Sequence, residues 1–377
     1  GDGRLELVVP VSNSSWVLCF DARTGEQRWR YEAGPGECID TPPAVVDVTG
    51  DGKPEILVGT FKGAIHIVGP DGKRVARLPV APGAVQSGVV AIDLAGDGNL
   101  ALLAANFRGD HALHAVHGRT GKELWRVQTG SHMYHGVSLG DIDGDRKPDF
   151  AIASYDGKVY AFDHRGAKIW TVEPGDRYFM SPTVRVDVDG DGREEVVVAS
   201  ESLTAIGSKG QLLYSERLSS ATGCSVTRGV SVADLDGDGG VDLVTLDSHG
   251  VLRVHRGKDG ALLCTFDVAK VHGKKVRQGS HGPVIADLDG DGRLDVFVVV
   301  GGDNRDRHGL AVCLTGFPGT GEGWYQMRHD AQNTGNVRTP LAPALRANLQ
   351  AVRAKVTEQM TGRKPTDSAP TRPRPRR

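Results

Sequence analysis

Short apolar runs recur along the chain, each cut off by glycine and aspartate. In 230–266 the pattern is plain. Val230-Ser231-Val232-Ala233 alternates, and an acidic loop follows. Leu243–Leu246 is continuously apolar, and Ser248-His249-Gly250 turns the chain into Val251–His255. Lys258-Asp259-Gly260 turns it again into Leu262–Phe266. A two-residue period bounded by Gly, Asp and Ser predicts strands and hairpins. Four antiparallel strands in this order make one propeller blade, whose two faces need neighbouring blades to cover them.

The acidic loop is the repeating mark. Asp287-Leu-Asp289-Gly-Asp291-Gly-Arg-Leu-Asp295 is matched by the segments starting at Asp141, Asp187 and Asp234, and more weakly by those at Asp47 and Asp93. A beheaded copy, Asp2–Glu6, opens the chain. The third acid falls at Asp2, Asp51, Asp97, Asp145, Asp191, Asp238 and Asp291, with gaps of 49, 46, 48, 46, 47 and 53 residues. That period predicts an all-β, seven-bladed β-propeller of four-stranded antiparallel blades over residues 1–339. The first blade should lack its inner strand, because the chain begins at the loop. The segment 323–335 is expected to complete the ring. Leu345, Leu349, Val352 and Val356 predict a short C-terminal amphipathic helix over 340–360. Residues 361–377, rich in Pro and Arg, predict a disordered tail.

Composition changes this picture little. The net charge is −2, so the whole chain carries no nucleic-acid signature and no nucleic-acid partner is expected, although 341–377 alone carry +7. Residues 1–340 then carry −9. No apolar run reaches the roughly 18 residues of a membrane span. Cys19, Cys38, Cys224, Cys264 and Cys313 form no C-x-x-C pair, so a zinc or redox site is not expected. The chain starts at Gly1 inside a motif, as a fragment would, and an export signal, an anchor or a catalytic domain upstream is expected from that.

Carboxylates at alternate loop positions can converge on one cation, with a carbonyl at position 7 and the acid at position 9 closing the shell. Hard oxygen donors select Ca²⁺ over zinc or copper. Four loops are complete: Asp141/Asp143/Asp145/Asp149, Asp187/Asp189/Asp191/Glu195, Asp234/Asp236/Asp238/Asp242 and Asp287/Asp289/Asp291/Asp295. Asp47/Thr49/Asp51/Glu55 keeps an oxygen at position 3 in the Thr49 hydroxyl, giving four to five calcium sites. Asp93/Ala95/Asp97/Ala101 lacks two ligands and is expected to bind nothing. The start resembles an EF-hand loop, but the closing acid comes at position 9 rather than 12 and strands flank it.

On these D-x-D-G-D-G-x-x-D loops the chain resembles the FG-GAP/VCBS repeat family, the calcium-loop propellers of integrin α-subunits and many secreted bacterial proteins. The hairpins Thr24-Gly25…Trp29, Thr120-Gly121…Trp125 and Gly166…Trp170 also resemble quinoprotein-like propeller repeats. The family implies structural calcium on one face and a protein or carbohydrate ligand on the other.

Six residues before each loop stand Thr41, Ser87, His135, Ser181, Arg228 and His281. They are expected to ring the mouth on the face opposite the Asp loops, bordered by Gln86, Tyr134, Met180 and Thr227, and to bind an anion or a sugar. Solvation of the mouth is the plainer alternative. No G-x-S-x-G, H-E-x-x-H or Walker loop is present. The expectation is a non-catalytic binding module, extracellular, at the cell surface or periplasmic. The alternatives are the propeller of a quinoprotein dehydrogenase or polysaccharide lyase, or the sensor region of a larger protein.

Overall fold

The computed structural model describes residues 5–12, 14–221, 223–271, 281–301 and 309–319. They form seven antiparallel sheets in sequence order, with one short helix at Val268–Val271. The fourth blade is typical. Ser138–Gly140, Asp149–Ala153, Val159–Phe162 and Lys168–Val172 pair in that order. Gly140 lies opposite Asp149, so the Asp loop is the tip of the innermost hairpin. The first blade has three strands, Glu6–Val11, Trp16–Asp21 and Gln27–Glu32, and begins where the others have their second. The expected closing segment, helix and tail fall outside the described residues.

Buried apolar clusters lie between blades rather than within them. Val17, Tyr31 and Ile39 of the first blade pack with Ile56 and Val58 of the second. Comparable clusters join the second to the third, the third to the fourth, and so on to the seventh. Each sheet therefore buries its faces only because a neighbour stands against it. The second strands, such as Glu55–Gly59 and Glu195–Ala199, are buried throughout.

The outer strands carry a latch between blades. Trp29 donates its Nε1–H to Pro70 O of the next blade (3.0 Å), and Trp170 donates to Ser208 O (3.1 Å). Each indole lies on a hairpin glycine of that blade. A Cβ on Gly72 would stand 2.8 Å from Trp29, and one on Gly210 would stand 3.0 Å from Trp170. Trp125 meets Gly166 in the same way, and Tyr214 meets Gly260. These glycines have positive φ, so the turn and the seat both require the missing side chain. The Thr-Gly…Trp spacing is thus a contact between one blade's last strand and the next blade's hairpin.

Candidate functional site

Antiparallel order puts the Asp loops and the Thr-Gly hairpins at one end of every blade. The turns between second and third strands, and the crossings between blades, lie at the other.

In each loop the first Asp builds the turn. Asp187 Oδ1 accepts the N–H of Gly190 (2.7 Å) and its Oδ2 that of Gly192 (2.9 Å). Asp93 does the same with Gly96 and Gly98, although its loop lacks the acids at positions 3 and 9. The turn thus forms with positions 1, 4 and 6 alone; where acids stand at 3 and 9 they add bonds of their own, Asp189 accepting the Asp191 N–H and Glu195 that of Val188. Position 6 has positive φ and is glycine except in the fourth blade, where Arg146 has φ 67°.

The closing acids are buried: Glu55, Asp149, Glu195, Asp242 and Asp295. One oxygen of Asp149 accepts the N–H groups of Ile142 and Asp143, while Oδ1 is buried with no hydrogen-bond partner. Burial, together with the neighbouring carboxylates, pushes Asp149 and Asp242 up to about 6 and Glu195 up to about 7. Ligand oxygens lie within 4.8 Å of one another in Asp47/Asp51/Glu55, Asp141/Asp143/Asp149, Asp187/Asp189/Glu195 and Asp234/Asp236/Asp242. An orphaned buried oxygen in an all-oxygen donor set fits a hard divalent cation. These acidic clusters can hold metal.

In the second blade the position-3 oxygen offered by the sequence, the Thr49 hydroxyl, lies beside the acids at positions 1 and 9. Thr49 Oγ1 donates to Glu55 Oε1 (3.3 Å), and the Thr49 N–H donates to Glu55 Oε2 (3.1 Å). A hydroxyl carries a proton that a carboxylate lacks, so it donates to the neighbouring acid and keeps lone pairs on its oxygen. Asp47, Asp51 and Glu55 bring their oxygens together in this loop, with Thr49 beside them.

Arg185, on the innermost strand of the fifth blade, carried no mark in the sequence. It is fully buried, and its Nη2 donates to Asp141 O (3.3 Å) and to Glu194 O (3.2 Å). It therefore joins two neighbouring loops.

At the opposite end the six mouth residues divide. Thr41, Ser87 and Ser181 are buried, and their hydroxyls donate to Gly59 O, Ala105 O and Pro182 O. Ser87 also accepts the Ala105 N–H (2.7 Å). His135, Arg228 and His281 belong instead to one group. His135 Nε2 lies 3.1 Å from Thr227 O, linking the fourth blade to the sixth. Blades that are not neighbours can meet only near the axis. Arg228 lies over the Tyr134 ring, 5.6 Å from its centroid. Partial desolvation and the Arg228 charge hold the His281 imidazole below its usual pKa.

Half-buried aromatics extend this group outward. Phe107 packs on Tyr134 (5.2 Å), Tyr155 (5.8 Å) and His132 (5.3 Å), and Tyr155 continues to Tyr178 (5.6 Å). Phe61, Phe107 and Tyr155 each stand six residues after loop position 9, in three consecutive blades. That spacing was readable in the sequence and is the signal that would have found them.

Two families match. FG-GAP-like repeats cover residues 187–245 and 234–298, the stretch holding three of the complete Asp loops. The chain thus carries FG-GAP-like repeats within a seven-sheet propeller. Residues 101–186 match the lambda-carrageenase β-propeller domain. A lambda-carrageenase of Pseudoalteromonas sp is 29% identical over 119 residues, which is 31% of this chain and 12% of that enzyme. Among solved structures, the V. cholerae biofilm matrix protein Bap1 is similar at TM-score 0.54 and 15% identity, over 92% of both chains. Saccharomyces cerevisiae Sqt1 is similar at TM-score 0.59 and 14% identity, over 82% of each. BamB from Moraxella catarrhalis is similar at 0.52 and 16%, over 82% of this chain and 79% of its own. Similarity at that identity establishes the fold alone. Among the described residues no helix is long and apolar enough to cross a membrane.

Proposed function

We propose that this propeller is a calcium-stabilised, non-catalytic module that binds carbohydrate through the face opposite its Asp loops. The observation that carries this reading is the continuous row of half-buried aromatics, Tyr134, Phe107, Tyr155 and Tyr178, around the blade turns of that face. Aromatic rings left partly open on a rigid scaffold, with polar groups beside them, are suited to a ligand with apolar faces and hydroxyl edges. The match of residues 101–186 to a carrageenase propeller supports it, because that segment contains the row.

Calcium is the cation the oxygen-only loops favour, at four to five sites. Loops of this kind in extracellular modules hold it with Kd of about 10⁻⁴–10⁻³ M, which suits a calcium-rich compartment outside the cytosol. The protein should therefore work outside the cell, at its surface, or in the periplasm. The calcium end stiffens the ring and the other end meets the ligand.

A second reading makes the propeller one part of a polysaccharide-acting enzyme, and the carrageenase relative favours it. Affinity electrophoresis in gels containing soluble polysaccharides tests the first reading. Retardation that is lost in Tyr155→Ala, with the melting temperature kept, supports it. A depolymerising activity of the chain alone would favour the second.

A further inference from the structure

The sixth blade departs from its neighbours at the end of its second strand. Five residues after loop position 9 the second to fifth blades have Thr60, Asn106, Ser154 and Ser200, and the sixth has Asp247. Ser154 and Ser200 donate their hydroxyls to carbonyls of the preceding crossing, His132 O (3.2 Å) and Tyr178 O (2.8 Å). Asp247 instead meets a thiol. Cys224, in the crossing that leads into this blade, donates its Sγ–H to Asp247 Oδ2 (3.1 Å), and His249 stands in the turn two residues beyond. Donor atoms of Cys224, Asp247 and His249 lie within 4.8 Å of one another. No C-x-x-C pair marks Cys224 in the sequence, and the fold brings its partners from 23 and 25 residues away.

The rest of the blade holds these three in place. Asp247 Oδ1 accepts the N–H groups of His249 (2.8 Å) and Val251 (3.0 Å), and its Oδ2 also accepts from Arg253 Nη1. The carboxylate is therefore fixed by outer partners, as ligating carboxylates are, while its Oδ2 faces the sulfur. Crossing and turn are tied together by the Ser248 N–H on Ser225 O (2.8 Å) and the Ser225 N–H on Ser248 Oγ (3.2 Å). Cys224 and Asp247 are buried, and the half-buried His249 leaves a way in from solvent. A tetrahedral cation with bonds of about 2.3 Å to sulfur and about 2.0 Å to nitrogen or oxygen sets its ligands about 3.3–3.6 Å apart. Cys224 and Asp247 already stand closer than that, and His249 has about an ångström to travel.

We propose that Cys224, Asp247 and His249 form a zinc-class site, with thiolate, carboxylate and imidazole as three ligands and water as the fourth. The cation takes its place between Sγ and Oδ2, a metal–sulfur bond replaces the S–H bond, and the thiol proton leaves to solvent. One sulfur and one nitrogen set this donor group apart from the oxygen-only Asp loops, which favour calcium. Burial and the Asp247 carboxylate push the Cys224 thiol up to about 11, so uptake strengthens as pH rises. The bound cation pins the crossing between the fifth and sixth blades to the turn of the sixth.

Cobalt titration of the whole chain tests this, with a phosphine reductant and in excess calcium, which competes for oxygen-only sites. A single equivalent of Co²⁺ is expected to raise a thiolate-to-cobalt band in the near ultraviolet, and Zn²⁺ should displace it. Cys224→Ser should abolish the band. His249→Gln, in a half-buried turn, should weaken binding by more than the roughly tenfold that loss of an outer partner costs. Cys264→Ser, at an exposed cysteine of the same blade, should leave the band unchanged. A band that persists in Cys224→Ser or vanishes in Cys264→Ser overturns the site, and so does binding that His249→Gln fails to weaken. Absence of a thiolate band with cobalt in excess overturns it outright.

Discussion

The guanidinium of Arg185 occupies the space that a side chain on Gly140 would fill. A Cβ at 140 would stand 2.9 Å from Arg185 Cζ and 2.6 Å from Glu194 Oε2. Gly140 ends the innermost strand of the fourth blade, where the second, sixth and seventh blades have Val46, Ala233 and Ala286. One blade gives up a side chain so that its neighbour can place a buried cation between two acidic loops. Gly140→Ala should destabilise the protein by about 1–3 kcal/mol, the usual cost of overfilling a packed site. Arg185→Met should relieve part of that cost, so the double variant is more stable than the sum of the two singles. Thermal melts in calcium and in EDTA would measure both.

Calcium removal is the second test. On the calcium reading proposed above, EDTA should lower the melting temperature and added Ca²⁺ restore it, because a cation held by the folded loops and not by the unfolded chain stabilises the fold. Asp289→Ala should remove one binding equivalent in a calcium titration while circular dichroism keeps the β signature.

The calcium effect should depend on pH with a definite sign. Without the cation, Asp149, Glu195 and Asp242 hold folded pKa values of about 6, 7 and 6, above their unfolded range. A raised folded pKa means a contribution to stability that is present at low pH and lost as pH climbs from about 4 to 7. Asp21, Asp247 and Glu37 are lowered and act in the opposite direction, present at high pH and lost on acidification. Those three are common to both forms and cancel in a difference. The rise in melting temperature on adding Ca²⁺ should therefore be larger at pH 7.5 than at pH 5.5, to be read from paired scans.

Position 6 of the fourth loop offers a gain. Arg146 has a φ of 67° where most other loops have glycine. Relief of left-handed strain by Arg146→Gly should stabilise the protein by about 1 kcal/mol, measured by denaturant melts in EDTA.

Much of the fold was legible because its signals are local. The Asp loops need carboxylates and glycines at fixed spacing, and the Trp hairpins repeat, so blade number and strand order follow from counting. The acidic clusters were legible for the same reason. The face opposite the Asp loops was read only in part. Counting back from the loops found Tyr134, His135 and Arg228. The same count found Thr41, Ser87 and Ser181, whose hydroxyls satisfy carbonyls that any strand end leaves open. Phe107 and Tyr155 stand at a repeated spacing after the loops, but their contact with each other and with Tyr178 forms only in the folded protein. Arg185 and Gly140 are 45 positions apart, and nothing along the chain pairs a buried cation with an absent side chain.

The indole latches all point one way. Trp29, Trp125 and Trp170 each reach forward, onto the hairpin of the blade translated after their own. A growing chain therefore carries its newest outer strand with an unseated tryptophan until the following blade emerges. Deletions from the carboxyl end that stop after a Trp blade leave an indole bare and prone to association. Deletions from the amino end leave only a vacant glycine seat. Shortened versions of this protein should tolerate losses at the front better than losses at the back.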